Sequence, residues 1–363
     1  MGTLSLFVAL GIALGLSLAP GPAIAAAAAP AIAEGVRFWH EDWELACDNT
    51  GICRAAGYHE DRADLPVSVL VTRRPGPATR PEVKLVLGNY TEPAAVKALP
   101  PQPVLTMRVN DRSLGAVRLG KDGLSGTLSR AQAAALLAAL PKAQARVSWH
   151  HGDAKWVLSD QGARAVMLKM DEAQGRLGTP GALVDRGTRD EQQVPGPRPL
   201  PLLKVPALPP TLEADRTWPQ RQGPALLAAL RATVTDARAE CTLLEEDEPP
   251  PLEVRRLNDR QLLVSTRCWT AAYNGGSGAW VVNRQPPYAP VLVTDSASDI
   301  NDTEIIASHK GRGLGDCWSH EAWTWTGTRF VRSSAGSRGM CKLILPGGPW
   351  DLPTLVTRVQ QSR

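Results

Sequence analysis

The chain has 363 residues and 43% hydrophobic content, enough for two cores of ordinary size. Its 40 basic and 36 acidic residues leave a formal charge of +4 and are well mixed along the chain. A nucleic-acid footprint needs basic residues gathered on one face, so this balance argues against that class of partner.

The first predicted element is an export segment. Residues 4–18 are uncharged and leucine-rich, "PGP" at 20–22 breaks any helix, and Ala-x-Ala patterns end at Ala25, Ala27, Ala29 and Ala33. A signal peptide over residues 1–25 is expected, with cleavage as late as 33 the second choice. No Lys or Arg precedes Arg37, so the positive end is either the α-amino group alone or lies upstream. The apolar run is shorter than the roughly 20 residues of a membrane span. No second candidate follows, so no stable membrane span is expected after cleavage, and the address is periplasmic or secreted.

Residues 34–193 read as a β-rich domain with two helices. "WELAC" and "CRAAGY" flank the turn-forming "DNTGI". "VSVLVTRR", "EVKLVLGNY", "VLTMRVN" and "LGAVRLG" are further strands, with "NDRS" as a hairpin turn. "SRAQAAALLAAL" is the clearest helix: Ser129 and Gln132 form a capping-box pattern and Pro141 stops it. "ARVSWH" and "KWVLS" form a strand pair, and a second helix starts near Ser159 as its cap, with Ala163, Val166, Met167 and Met170 at helical spacing.

Residues 194–224 hold nine prolines and read as an extended linker, either free or packed as a strap. Residues 225–363 then form the second domain: one leading helix followed by "LEVRRL", "RQLLVSTRCW", "GAWVVNR", "APVLVTD", "EIIASH", "WTWTG" and "RFVRS", the pattern of an antiparallel meander. The fold class is therefore α+β, mainly antiparallel β, in two β-rich domains.

Six cysteines in an exported chain read as disulfides. Cys47 and Cys53 stand alone in the first half and should pair. Sequential pairing is simplest for the rest: Cys241 with Cys268, and Cys317 with Cys341.

The stretch "GRGLGDCWSHEAW" over 311–323 concentrates chemistry-bearing residues. Its glycines are spaced G-x-G-x-G, and a strand-like run follows, so a bend between strands is a better reading than a phosphate loop. His309, Cys317, His320 and Glu321 could ligate zinc, but the paired spacings of structural sites are missing and Cys317 has Cys341 as a partner. His150, His151 and Asp153 read as a polar hairpin turn. Asp295, Asp299, Asn301, Asp302 and Glu304 read as a solvated loop, because the EF-hand order fails. No metal and no cofactor is expected, and no catalytic residue is assigned. Seven of the eleven tryptophans follow residue 214, where they either fill a small β core or present aromatic faces to sugar rings. Lys310, Arg312, Trp318, His320, Trp323 and Trp325 are the binding candidates.

"WELACDNTGICRAAGY", "LKMDEAQGRLGTPGALV", "CWTAAYNGG", "HKGRGLGDCWSHEAWTWTGTRFV" and the closing "CK…W" together resemble one family of bacterial envelope proteins, known as domain of unknown function 1176. The resemblance covers nearly the whole mature chain and implies a signal peptide and no assigned activity. The family pattern often has a glycine after the cysteine of "GDC", where this chain has Trp318. The N-terminal half is also distantly similar to invasion-associated locus B proteins. The leading expectation is a non-enzymatic binding or envelope-interaction protein, its partner an envelope glycan or protein. The alternatives are a hydrolase of envelope polymer using His309, His320 and Glu321, and a structural or inhibitor-like protein that binds another protein through a flat apolar surface.

Overall fold

In the computed structural model of the chain, residues 31–234 and 240–362 are described. The segment expected to be a signal peptide lies outside them, as does the end of the predicted C-terminal helix at 235–239. Ten strands come from the first half: β1 Val36–His40, β2 Trp43–Cys47, β3 Cys53–Tyr58, β4 Val67–Arg73, β5 Glu82–Leu87, β6 Val104–Val109, β7 Arg112–Arg118, β8 Ser125–Thr127, β9 Val147–His151 and β10 Ala154–Leu158. The helices α1 (Ala94–Lys97), α2 (Arg130–Ala139) and α3 (Ala163–Ala173) accompany them. Antiparallel pairing gives a six-stranded sheet in the order β1-β2-β3-β4-β5-β8 and a four-stranded sheet in the order β10-β9-β6-β7.

Local chemistry explains these elements. Asp48 Oδ1 accepts from Thr50 N, Thr50 Oγ1 and Ile52 N, closing the turn that the Cys47–Cys53 disulfide staples. Asn110 and Asp111 both hold positive φ, 48° and 65°, which suits a two-residue hairpin loop between β6 and β7. The capping box of α2 forms as expected: Ser129 Oγ accepts from Gln132 N and Gln132 Oε1 accepts from Ser129 N. Ser159 does not cap α3. Its hydroxyl accepts from Gln161 N instead, and α3 begins after Gly162 at φ 86°. Glycine is required at 162 because a Cβ would lie 1.9 Å from His40 O.

The six-stranded sheet is covered on both faces. Leu45, Val69 and Leu85 look toward Leu105, Met107, Trp149 and the buried stripe Val166, Met167 and Met170 of α3. Ala46, Ala56, Tyr58, Leu70 and Val86 pack under Ile344, Trp350 and Leu352, which come from the far end of the chain. Trp350 Nε1 donates to Ser68 Oγ at 2.7 Å and Met340 N donates to Tyr58 Oη at 3.0 Å. The chain from Ile32 onward is thus one compact unit.

The proline-rich stretch is a packed strap. It carries β11 (Leu202–Val205), α4 (Glu213–Arg216) and the start of α5 (Trp218–Arg231). Gly223, with φ 51°, and Pro224 break α5 internally, so the helix begins earlier than expected and is kinked. The second half then adds β12 Glu253–Arg256, β13 Gln261–Thr270, β14 Gly275–Asn283, β15 Val291–Ala297, β16 Asp299–Ile300, β17 Glu304–Lys310, β18 Trp318–Trp325, β19 Phe330–Ser337, β20 Leu352–Leu355 and β21 Arg358–Gln361. β21 pairs in parallel with β11 and pins the strap. β12 to β15 form one antiparallel sheet and β16 to β20 another. One face of the first packs Leu262, Val264 and Trp280 against Trp218, Leu226 and Leu230 of α5. Its other face packs Leu263, Ala279 and Val281 against Ile305 and Trp325 of the second sheet. The remaining two disulfides join Cys241 to Cys268 and Cys317 to Cys341, as the sequence predicts.

Candidate functional site

The glycine-rich stretch after β17 is a rigid hairpin loop. Gly311 N donates to Cys317 O at 2.9 Å, and Gly315 takes φ 70°. Arg312 grips Asp316 with two hydrogen bonds, 2.7 and 2.6 Å, and Leu343 N donates to the same carboxylate. Burial raises the Asp316 pKa, but the bonds from Arg312 and Leu343 N outweigh it and hold the carboxyl below its ordinary range. Among the described residues, Asp316, Cys317 and Cys341 gather as metal ligands could. Both sulfurs are engaged in the disulfide and Asp316 is engaged by Arg312, so the three serve the loop.

The tip of the β13–β14 hairpin meets this loop. A bulge after Arg267 places Trp269 directly across the ladder from Gly276. The indole fills the space a side chain there would need, since a Cβ on Gly276 would sit 2.3 Å from it. The His309 ring lies against the same indole, with centroids 5.5 Å apart, and its Nε2 is 2.8 Å from Ser296 O. Asn274 Nδ2 donates to Lys310 O and Asn274 Oδ1 accepts from Lys310 N. That pair of bonds fixes the hairpin tip to the end of β17. Trp318 Nε1 donates to Gly315 O at 3.0 Å, and Lys310 Nζ stands 5.7 Å from the centre of the Trp318 ring.

Between these elements runs a cleft of about 440 Å³, lined by Trp269, Tyr273, His309 and Trp318 together with the hairpin backbone from Asn274 to Ser277. It continues into a second depression of about 410 Å³ lined by Pro250, Glu253, Arg255, Thr266 and Asp299. The two share Arg267, Ser277, Ala297 and Ser298 and so form one groove, aromatic at one end and charged at the other.

The sequence candidates divide sharply. Trp318 lines the groove and Lys310 stands over its ring. Arg312 is held by Asp316. Trp325 is fully buried and packs on Phe330, and Trp323 is packed into the same core. His320 shares the face of Trp318, opposite Trp323 and Trp325, but pairs across from Ser308 and presses against Gly336 outside the groove lining, and burial holds its ring below the usual range. Glu321 pairs with Arg332 at 2.7 Å. His309, His320 and Glu321 therefore have separate partners and are not gathered around one substrate atom. Trp269, Tyr273 and Asn274 were missed as site residues. Their signal is an aromatic-rich stretch closing on Gly275-Gly276, where the missing side chain leaves a seat for an indole across that hairpin.

Fold and site together define a disulfide-stapled antiparallel β protein with an aromatic groove between its C-terminal sheets. The chain belongs to the family described as protein of unknown function (DUF1176), which it matches over residues 37–357. It is also similar to the uncharacterized protein YpfG of Escherichia coli (strain K12), 26% identical over 315 residues, covering 80% of this chain and 84% of that protein. No solved structure matches it. Two of the stretches that carry the family resemblance, "CWTAAYNGG" and "HKGRGLGDCWSHEAW", meet at the groove.

Proposed function

We propose that the protein is exported to the periplasm and binds an extended envelope glycan in this groove without transforming it. The observation that carries the reading is the continuity of the groove, from Trp318 and Trp269 at one end to Arg255 and Glu253 at the other. An extended, open groove suits a chain better than a single small molecule. Aromatic faces stack on the apolar faces of sugar rings, and hydroxyls find Asn, Ser and Thr along the floor. Disulfides favour an oxidising compartment. No helix among the described residues is long and apolar enough to cross a membrane.

Titrating the protein with soluble peptidoglycan fragments and chitooligosaccharides, read by tryptophan fluorescence and calorimetry, tests the proposal. Affinity should rise with chain length and fall at least tenfold in Trp269→Ala and Trp318→Ala. Lack of saccharide binding, or binding indifferent to both substitutions, overturns it. N-terminal sequencing of the mature protein tests export: a start after Ala25 or Ala33 is expected, and an intact residue 1 argues against it.

A further inference from the structure

A second cavity, in the N-terminal half, has a different chemistry. It measures about 450 Å³ and lies between α2 and the segment 178–191 that follows α3. Arg73, at the end of β4, forms its floor with a side chain only 3% exposed. Arg73 Nε donates to Thr79 O and Nη2 to Gly181 O, while Nη1 makes no hydrogen bond and has Asp171 at 3.6 Å. Behind it, Arg176 is fully buried against Glu191, Gly76 O and Thr79.

Glu191 accepts from Gly181 N and Arg176, and Asp171 Oδ2 accepts from Leu183 N and Val184 N, while Asp171 Oδ1 accepts no hydrogen bond and faces Arg73 Nη1. Three more arginines, Arg80, Arg130 and Arg186, line the mouth, and none forms an ion pair among the described residues. Four guanidinium groups thus line the cavity against one carboxylate, Glu191, and Arg176 and Asp171 behind the lining leave the excess of three positive charges unchanged. Burial, reinforced by Arg176, pushes the Arg73 pKa down to about 10, as expected where cations crowd without enough counter-charge. The walls between the arginines are apolar, from Ala133, Leu137, Leu183, Pro81 and Pro180.

We infer that this cavity binds a small organic anion, a phosphate or carboxylate head on an apolar body. Guanidinium forks match such heads in geometry and charge, and Arg80 and Arg130 at the mouth, with no carboxylate partner among the described residues, would grip the head above Arg73. The apolar walls would take the body, and the size suits a small molecule rather than a polymer. The site is separate from the glycan groove and does not depend on it.

Calorimetry on the mature chain distinguishes the parts of this inference, using octyl phosphate below its micelle concentration, inorganic phosphate and octanol. Octyl phosphate should bind at least tenfold more tightly than either, and more weakly as salt is raised. Arg130→Glu, at the start of α2, and Arg80→Ala, in the loop before β5, both exposed, should each reduce octyl phosphate affinity at least fivefold with the unfolding midpoint unchanged. Absence of octyl phosphate binding overturns the inference. So does equal affinity for octanol or for inorganic phosphate, or binding unaffected by both substitutions.

Discussion

Asn274 pairs with both backbone groups of Lys310: its Nδ2 donates to the carbonyl at 2.9 Å and its Oδ1 accepts from the N–H at 3.0 Å. One side chain here does what a neighbouring strand would do, and it joins the hairpin tip to the strand that carries His309. Asn274→Ala leaves both backbone groups without their partner, which should destabilise the protein by about 1–3 kcal/mol. Asn274→Asp keeps the acceptor and loses the donor, and should fall between. Urea unfolding measures both, and an alanine variant as stable as the parent contradicts this role.

Gly276 is the seat of the Trp269 indole, with a Cβ there 2.3 Å from the ring. Gly276→Ala should displace the indole, shift tryptophan emission and weaken glycan binding at least fivefold. Overpacking should cost about 1–3 kcal/mol of stability. Emission and affinity both unchanged would show that the indole is not held by this contact.

Glu44 is buried beside Tyr58, whose hydroxyl donates to it at 2.7 Å. Burial raises its pKa above the ordinary 4.5, and the Tyr58 bond only partly offsets that. The folded state therefore holds a proton that the unfolded state has released within the window just above pH 4.5. Stability due to this group falls as pH rises through that window and stays lower above it. Glu44→Gln, which keeps an acceptor for Tyr58 and removes the charge, should be as stable as the parent near pH 4 and at least as stable at pH 7. Glu44→Ala should lose about 1–3 kcal/mol at both. Thermal melts of the three proteins at the two pH values decide it. A Gln variant weaker at pH 7 than at pH 4, relative to the parent, reverses the sign.

The Cys317–Cys341 disulfide closes 24 residues and sits beside the Arg312–Asp316 fork. Replacing both cysteines by serine should cost about 3 kcal/mol and loosen the loop that presents Trp318. Saccharide affinity should drop with it. A double serine variant with parental stability and affinity would place the loop's rigidity in the fork alone, which Asp316→Ala would then expose.

Much of the fold was legible because its signals are local. The capping box at Ser129 and Gln132, the alternation along "VSVLVTRR" and the lone cysteine pair at 47 and 53 each concern neighbours in the chain. Ser159 looked like a helix cap for the same local reason. The true start is set by His40 O, a distant atom that only a glycine at 162 can approach. The groove was half legible: Trp318 was a candidate, while Trp325, identical in type and on the same strand, went into the core. Alternation gives the face but not what covers it. Trp269 depends on a bulge and on Gly276 across a hairpin. The strap stayed ambiguous because Leu202–Val205 finds its partner only in Arg358–Gln361, and a parallel pairing of such distant segments leaves no periodic trace.

The outer face of the six-stranded sheet waits for the other end of the chain. Ile344, Trp350 and Leu352 cover Tyr58, Leu70 and Val86, and Met340 N completes the Tyr58 hydrogen bond. A ribosome builds the sheet long before it builds that cover. A nascent chain halted anywhere between residue 190 and residue 340 would carry the sheet and its inner cover with the outer apolar side bare, a natural target for holding chaperones and for proteases. Completion of the polypeptide, rather than of its first half, is then the event that makes the N-terminal sheet safe.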